Sequence, residues 1–536
     1  MTCRPAHAAA HAAALATALA ALLILARPAA AEELRIGMKG VVDNADPHQN
    51  YTPNRNVQYH VYEPLTFQDE HLRAYPGLAE SWKAVDPLTW EFTLRPGLKF
   101  HDGSPVTPQD VAFSLMRAKN TVGIRTYAFS VRNIVSIEAK DDRTVVLHER
   151  EPTPLQPDVL VSVAIVSARA AADAGPNDWN GGKAAVGTGP YKWVKWIPGQ
   201  DVMLARNDAY WGEKEPWEKV AFRFIPNDSA RVAALLAGDI DIADTLPAEL
   251  YERIKTSDKM KLVTTDSIFT NYLYIDNLSA QTPNFTTAGG QALPKNPLLD
   301  ERVRLAMDHA INRVALTERA MQGGATAGSQ IAAEGLSGHV ADLTPTAFDP
   351  ALAKKLLAEA GYPNGFTLQL TCTSDRFAGD SRTCQAVGQM LTAVGIKAQV
   401  DAMPSAIYFR RWATYTPVGP SEFSSTISMF GSTTGLGSES MTTILHTLDP
   451  GKGLGFGNRK FVADKQLDAI LDKIGGTFDT ASRETMTQQA VRYVHDHALI
   501  LPLFHLKASW GIRRDLTIVP RQDQYTLAMS VRKAKL

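Results

Sequence analysis

The chain has 536 residues, of which 45% are hydrophobic and 21% are charged, and its 55 basic and 56 acidic side chains give a formal net charge of −1. This near balance does not indicate a nucleic-acid or anionic-membrane partner, because both select basic surfaces. The length far exceeds the size at which one hydrophobic core stops growing, so we expect two or more lobes.

The N-terminal segment, residues 1–31, has the pattern of a cleavable export signal. Arg4 supplies a basic start, Ala12–Ala26 forms an apolar run, and Ala29–Ala31 offers the small residues that a signal peptidase needs. Cleavage after about Ala31 would leave a formal charge of −3, because the segment contains two arginines and no acid. The sequence therefore predicts export to the periplasm.

An uncleaved anchor helix is the competing interpretation of this segment. The apolar run is shorter than the roughly 20 residues that span a bilayer, and Arg27 and Pro28 interrupt it. Cys3 lies too far upstream of the cleavage site to become the lipidated cysteine of a lipoprotein. No later apolar run has membrane length, so we expect no membrane-embedded part.

Antiparallel strands and a helix are predicted in the first third of the mature chain. Trp90–Leu94 alternates apolar and polar side chains, and Val135 and Ile137 are expected on the buried face of a second hairpin. Between them, Thr107 is expected to cap a helix whose first turn contains Pro108. This part is expected to form a small α+β subdomain.

A β-α-β unit is predicted later in the chain. The sequence predicts two parallel strands, Phe366–Leu370 and Ile396–Val400, joined by a helix whose apolar face includes Val387–Val394. Ligands gather beyond the carboxyl ends of such strands, which places Asp375 and Arg376 near any cleft. An ordinary solvated loop that caps a helix is the alternative for both residues.

Cys372 and Cys384 would remain after export, in an oxidising compartment where a disulfide can persist. They enclose eleven residues and lack the C-x-x-C spacing of a redox or zinc site. Two buried thiols that never meet are the alternative, since the distance between the Cα atoms decides whether a bridge can form.

Short segments that run in one order along most of the mature chain carry a family resemblance. They are Tyr62–Leu65, Pro76–Trp82, Trp90–Arg95, Phe100–Val111, Gly187–Tyr191, Asn207–Trp211, Leu236–Asp241, Arg302–Ile311, Leu357–Tyr362 and Leu501–Phe504. Together they resemble the family 5 extracellular solute-binding proteins, the periplasmic receptors of peptide- and nickel-type ABC importers.

The resemblance implies an α/β, two-lobed periplasmic binding protein fold of the class II type, with an additional α+β subdomain inserted in lobe I. Lobe I would comprise residues 32–67, 186–270 and 505–536, the inserted subdomain residues 68–185, and lobe II residues 271–504. The implied function is capture of a peptide or peptide-like small organic solute in an interlobe cleft and its delivery to an inner-membrane permease. A monomer without a cofactor is expected.

One departure from the family concerns the ligand. In peptide-binding members, a lobe II loop places an Asp that pairs with the peptide α-ammonium. The matching run here is Phe430-Gly431-Ser432-Thr433. Because Thr433 stands where that Asp would be, and a buried ammonium without a charged partner is costly, a standard peptide pose would need another acid such as Asp375 or Glu439. A shift of the alignment within this Ser- and Gly-rich loop is the alternative.

Further ligand-binding candidates come from the same resemblance. Arg411 and Tyr408 lie in a segment that is near the cleft in relatives, and a guanidinium suits a ligand carboxylate; surface helix charge is the alternative. The candidates for the lobe I side are His48, Tyr51, Tyr127 and Asn271.

Three other classes of function are alternatives to a receptor for a peptide-like solute. An enzyme, remotely a hydrolase, is not indicated, because the chain has no Gly-x-Ser-x-Gly elbow, no His-Glu-x-x-His and no phosphate loop. A nickel-type metal-chelate receptor is suggested by His495, His497 and His505. Positions i and i+2 of a helix do not face each other, so no metal site is predicted. A sensor or chaperone role without transport stays open.

Overall fold

The computed structural model describes residues 32–49, 51–122, 126–281, 285–413, 422–458 and 461–534. The predicted export signal, residues 1–31, lies outside the described residues. Within the described ranges, no helix combines the length and the apolar character needed to cross a bilayer.

The strands of the described ranges form one large sheet and four small ones. In chain order they are β1 (Glu33–Met38), β2 (Glu63–Pro64), β3 (Thr66–Gln68), β4 (Ala74–Pro76), β5 (Ala79–Asp86), β6 (Thr89–Leu94), β7 (Ile134–Ala139), β8 (Thr144–Glu149), β9 (Ala164–Ile165), β10 (Tyr191–Ile197), β11 (Asp201–Arg206), β12 (Lys219–Phe224), β13 (Ile242–Asp244), β14 (Met260–Ile275), β15 (Thr286–Thr287), β16 (Ala325–Ala327), β17 (Phe366–Thr373), β18 (Ile396–Met403), β19 (Ser425–Phe430), β20 (Leu501–Arg513), β21 (Leu516–Ile518) and β22 (Val531–Lys533).

Helices cover the faces of these sheets. The α-helices span Thr52–Gln58, Pro108–Asn120, Gln156–Leu160, Ala168–Ala171, Pro176–Asn180, Asp228–Ala237, Tyr251–Lys255, Glu301–Ala310, Arg313–Ala315, Pro350–Glu359, Asp380–Ala393, Ser405–Ala413, Gly437–Ile444, Lys465–Gly475 and Thr480–Asp496. Short 3₁₀ turns occur at Ala128–Val131, Ala248–Leu250, Pro297–Leu299 and Ala528–Ser530, and a π-helical turn at Leu316–Ala320.

The large sheet runs through the whole molecule. Its strand order is β10-β11-β12-β1-β13-β20-β14-β19-β17-β15, with β16 beside β20 and β18 beside β17. Parallel pairs lie on both sides, β1 with β12 and β13 on one and β17 with β18 and β19 on the other. The antiparallel pair of β14, with 16 residues, and β20, with 13, joins the two groups.

Separate hydrophobic cores form at the two ends of this sheet, and we call the corresponding halves lobe I and lobe II. The lobe I core includes Leu34, Ile36, Phe222, Trp510 and Ile512. In lobe II both faces of the sheet are buried, one with Leu273, Leu370 and Val387 and the other with Tyr272, Tyr274 and Phe461. Since β14 and β20 contribute to both halves, the lobes share continuous strands rather than a loose linker.

The small sheet β5-β6-β8-β7 packs on the helix Pro108–Asn120, as predicted for the α+β subdomain. Trp90, Phe92 and Leu94 all face its core. Thr107 caps the helix, its hydroxyl accepting from the Asp110 amide at 3.3 Å. Val135 was wrongly predicted to be buried. It is 55% exposed, because the register of β7 shifts between Ile134 and Ser136 and turns Ile134 inward instead.

The predicted β-α-β unit is confirmed. β17 and β18 are parallel with Phe366 opposite Ile396, and the helix Asp380–Ala393 connects them. Cys372, near the end of β17, forms a disulfide with Cys384 of that helix, with 6.4 Å between the Cα atoms. The bridge closes the loop that follows β17.

Candidate functional site

A cavity of about 390 Å³ lies between the two lobes, beside the strands that cross from one to the other. Lobe I supplies Lys39, Thr245–Glu249, Tyr251, Ala508–Trp510 and Gln524 to its wall, and lobe II supplies Met321, Gly324, Arg376–Ala378, Met429 and Leu506. Phe269 and Lys507 come from the crossing segments. Several of these residues directly follow strand ends, which is where ligands bind in sheets of this kind.

The lobe I wall contains a strained turn after β13. Thr245 has φ 48°, a left-handed conformation that is rare for a β-branched residue. Buried Arg231 holds the turn, because its guanidinium donates to the carbonyl oxygens of Asp244 at 3.0 Å and Thr245 at 2.8 Å. The Ser509 hydroxyl donates to the Leu246 carbonyl at 2.9 Å. The exposed Thr245 side chain therefore stands on a turn that its buried neighbours fix.

The lobe II wall is built around Arg376 in the disulfide-closed loop. Its backbone amide donates to Asp380 Oδ2 at 2.8 Å, which fixes the loop to the following helix. Its guanidinium donates to the Met429 carbonyl at 2.9 Å and lies 4.9 Å from the centre of the Phe409 ring. Among the described residues it forms no ion pair, and burial lowers the pKa of Arg376.

The charges on the cavity wall are mainly positive. Lys39, Arg376 and Lys507 face one acid, Glu249, whose carboxylate is 3.0 Å from Arg382 Nη2 across the cleft. Lys39 Nζ has a partner in Asp228 at 3.1 Å. The cavity therefore favours a ligand that brings a negative group of its own.

Asn271 is a buried polar side chain next to this cavity. It is 0% exposed, and in the described part of the chain neither its Oδ1 nor its Nδ2 has a hydrogen-bond partner. It lies on β14 directly opposite Met429 of β19, a cavity residue. A buried amide without partners costs free energy, so the structure keeps a polar group here that its own fold does not use.

The predicted run Phe430–Thr433 lies at the end of β19, one residue beyond the cavity wall. Gly431 packs so closely against Phe269 that a Cβ atom would be 2.9 Å from its ring. Ser432 donates to Glu439 at 2.5 Å, and exposed Thr433 accepts from Gln68 Nε2 of the opposite side through its carbonyl at 3.2 Å. Thr433 thus lies at a contact between the two sides of the cleft.

The two substitute acids named from the sequence have other partners. Asp375 accepts from the Ser405 amide at 2.7 Å, at the start of the helix Ser405–Ala413. Glu439 accepts from the hydroxyls of Ser432 and Thr434. Glu249, which sequence reasoning did not single out, is instead the carboxylate of the cavity wall.

Arg411 and Tyr408 lie in lobe II away from the cavity wall. Arg411 pairs with Asp401 at 3.2 Å and Glu422 at 2.6 Å, so its guanidinium is already neutralised. Tyr408 is 1% exposed, and its hydroxyl lies 2.9 Å from Thr426 Oγ1. Of the twelve candidate ligand-binding residues, Arg376 alone is part of this cavity wall.

The candidates His48, Tyr51 and Tyr127 lie outside the wall of the interlobe cavity. His48 is fully buried, with Nε2 2.9 Å from the Ala164 carbonyl and Nδ1 2.8 Å from Arg117, and burial lowers its pKa to about 4. Tyr127 is buried beneath the Arg55 guanidinium. Tyr51 precedes the helix Thr52–Gln58.

The three histidines considered for a metal do not converge. His495 lies 3.0 Å from Asp496, His497 lies 2.9 Å from Glu301, and His505 is buried beside Thr270. Across the residues that the structure describes, no group of three or more His, Cys, Asp or Glu side chains is arranged to hold a metal ion.

Sequence reasoning missed most of the cavity wall. Lys39 and Thr245 follow the ends of the parallel strands β1 and β13, so the rule that singled out Asp375 and Arg376 would also have found them. Phe269 and Trp510 gave no such signal, because an aromatic residue inside a strand is usually read as core.

Two cores on one continuous sheet, with a cavity where the lobes meet, define a two-lobed solute-binding protein. The family model described as "Bacterial extracellular solute-binding proteins, family 5 Middle" matches residues 73–449. The chain is 30% identical to the glutathione-binding protein GsiB of Pectobacterium atrosepticum over 383 residues, 70% of each chain. It is 27% identical to GsiB of Escherichia coli O1:K1 / APEC over 497 residues, 91% of this chain and 92% of that one.

Among solved structures, HbpA2 from Haemophilus parasuis is similar with a TM-score of 0.82 at 23% identity, covering 94% of this chain and all of that one. The chain belongs to the bacterial extracellular solute-binding proteins, family 5. The predicted family and the predicted two-lobed α/β fold are thereby confirmed.

Proposed function

We propose that this protein is the periplasmic receptor of an ABC importer and that it captures a small peptide-like solute through a carboxylate of that solute. The solute occupies the interlobe cavity and is delivered, chemically unchanged, to an inner-membrane permease. The receptor acts as a monomer after its export signal has been removed. The relatives named as glutathione-binding proteins support a peptide-like solute.

The observation that carries this proposal is the Arg376 guanidinium. It is largely buried, faces the cavity and has a carbonyl and a ring as neighbours rather than a carboxylate. An arginine in such surroundings gains most from a carboxylate that it can bind with two parallel hydrogen bonds. The C-terminal carboxylate of a short peptide is a ligand group of this kind.

The family pattern places an Asp at the position of Thr433 to pair with the peptide ammonium. Because Thr433 carries no charge, the ammonium end of a peptide needs a different partner here. Glu249 is the acid on the cavity wall, and Arg382 is its present partner at 3.0 Å. Both side chains of this pair are more than a third exposed, so a ligand can compete for the carboxylate at modest cost. We assign Glu249 to the ammonium group.

Entry of the solute requires the lobes to separate. Contacts join the two sides across the cleft: Gln522 Nε2 donates to the Glu334 carbonyl at 2.8 Å, and Gln68 Nε2 to that of Thr433 at 3.2 Å. The ladder between β14 and β20 shifts register between Asp266 and Thr270, and we place the hinge there. A ligand that touches both lobes only when they are closed shifts the open and closed populations.

Calorimetry with matched ligands tests the carboxylate assignment. The probes are reduced glutathione, trialanine and trialanine amide, which lacks the C-terminal charge. We expect a peptide acid to bind at least about tenfold more tightly than its amide, the usual range for a hydrogen bond to a charged group. Arg376→Gln should remove this difference, whereas Arg319→Gln, at an exposed arginine outside the cavity wall, should preserve it.

Equal affinity for acid and amide, or an unchanged preference in Arg376→Gln, would contradict the role of Arg376. Failure of all peptides, together with a non-peptide compound found by native mass spectrometry of the purified protein, would contradict the peptide-like class. A separate measurement tests the metal-chelate alternative. If the protein binds a metal chelate, nickel with a small chelator should raise its melting temperature. Release of the probes unchanged after incubation checks that no reaction occurs.

A further inference from the structure

A second cavity, of about 520 Å³, lies within lobe I and its insertion. All of its lining residues come from positions 59–75, 161–215 and 519–530, so it is separate from the interlobe cavity. Tyr75 and Val519, each 45% exposed, lie among its lining residues and give it an opening to solvent. We call it the lobe I cavity.

Aromatic rings form much of the wall of the lobe I cavity. They are Tyr59, Tyr62, Phe67, Tyr75 and Tyr210. The face of such a ring attracts a cation, and two rings in this region already lie against arginine side chains of the protein itself. The Arg55 guanidinium lies 4.8 Å from the centre of the Tyr59 ring, and that of Arg95 lies 4.9 Å from the Trp211 ring.

The charged groups on the wall are mostly acidic. The carboxylates are those of Glu63, Asp69, Glu70 and Glu215. The single cation of the wall, Arg521, is bound to Asp523 with 2.6 Å between Nη2 and Oδ2, so it neutralises none of them. The described lining residues therefore include more acidic than basic side chains.

Two of these carboxylates are buried. Glu63, 2% exposed, accepts from Tyr210 at 2.6 Å and Trp211 Nε1 at 2.9 Å, and burial still raises its pKa to about 7. Glu215 is 9% exposed, and its Oε2 is buried without a hydrogen-bond partner among the described residues. Arg532 Nη1 forms an ion pair with this Oε2 at 3.3 Å and also donates to the Met529 carbonyl oxygen at 2.8 Å. Glu63, in contrast, accepts from neutral donors, and a buried carboxylate in such surroundings is stabilised by a counter-ion.

The geometry favours an organic cation over a metal ion. Ca²⁺ takes six to eight oxygen ligands and Mg²⁺ takes six in a tight octahedral shell, and no such cluster occurs among the described residues. A substituted ammonium instead uses aromatic faces and carboxylates together. We propose that the lobe I cavity binds a small organic ammonium cation, independently of the solute in the interlobe cavity.

The test uses choline, tetramethylammonium and 3,3-dimethylbutan-1-ol, the uncharged isostere of choline, in calorimetric titrations of the full chain. We expect both cations to bind at least about fivefold more tightly than the isostere, because the aromatic faces distinguish charge rather than shape. Tyr75→Ala and Glu215→Gln should each weaken choline binding by about fivefold or more. Tyr75→Ala is the safer variant, because its side chain is already 45% exposed.

Arg376→Gln, in the other cavity, is the control and should bind choline like the wild type. Equal binding of choline and the isostere, or no binding of either cation, would overturn the proposal. Loss of choline binding in Arg376→Gln, or unchanged binding in Tyr75→Ala, would place the cation elsewhere and would overturn it equally. None of these results depends on whether the interlobe cavity takes a peptide, so the two proposals fail separately.

Discussion

Opening the disulfide between Cys372 and Cys384 should destabilise lobe II and weaken ligand binding together. The bridge joins residues 12 apart and closes the loop that presents Arg376. Both sulfurs are buried in the lobe II core, with the cysteines 1% and 0% exposed. The perturbation is the double variant Cys372→Ala with Cys384→Ala, or reduction of the wild type.

The size of the effect follows from the length of the closed loop. Loop-closure entropy for about 12 residues corresponds to about 3 kcal/mol at 25 °C. For a folding unit of 150–250 residues this lowers the melting temperature by roughly 6–12 °C. The loop keeps other anchors, because Asp380 accepts from the Arg376 amide and Asp375 from the Ser405 amide. The affinity for a peptide acid should therefore fall only about three- to tenfold.

Urea unfolding with and without dithiothreitol measures the stability, and alkylation with mass spectrometry reports the state of the thiols. The double alanine variant is the control, since reductant should not change its midpoint. If the wild type with fully alkylated thiols unfolds at the same urea concentration as the oxidised protein, the chain-entropy argument is wrong. If affinity is unchanged while stability falls, the bridge does not position Arg376.

Two further predictions concern buried polar groups. Asn271→Leu should raise the free energy of unfolding by about 1–3 kcal/mol, because it removes a fully buried amide without partners. It should also weaken peptide binding. Urea unfolding measures the stability and calorimetry the affinity, and a less stable variant would contradict the argument. His505, buried beside Thr270, has its pKa lowered to about 4. The unfolded state therefore binds one more proton between pH 6.5 and 4, and stability falls by about 3 kcal/mol as the pH drops through this window. His505→Gln should reduce the slope of the unfolding free energy with pH between 7 and 5, and an unchanged slope would refute this.

Much of the fold was predictable because its signals are local. The capping box of Thr107, the alternation of Trp90–Leu94 and the β-α-β pattern depend on residues close in sequence. Gly187–Tyr191 is one of the short segments that carry the family resemblance. Position 187 requires glycine because the backbone lies close to Val61 there, and a Cβ atom would be 1.9 Å from the Val61 carbonyl oxygen.

The cavity wall was less predictable, because it is assembled from segments far apart in the chain. Lys39, Thr245, Arg376 and Trp510 meet only after both lobes have folded. Arg376 was found because it follows a parallel strand directly. A family pattern directed attention to Thr433 instead, whose backbone joins the two sides of the cleft.

Three unfavourable features converge on the interlobe cavity, and together they argue that it is built for a ligand. Thr245 has a strained backbone, Asn271 has an unsatisfied buried amide, and Arg376 is a part-buried guanidinium without a carboxylate. They belong to three separate segments, so no single local packing problem explains them. Strain and unmet polarity persist where function requires them. A solute carboxylate would give the Arg376 guanidinium a charged partner, so the binding energy of the solute and the stability of this wall should be coupled.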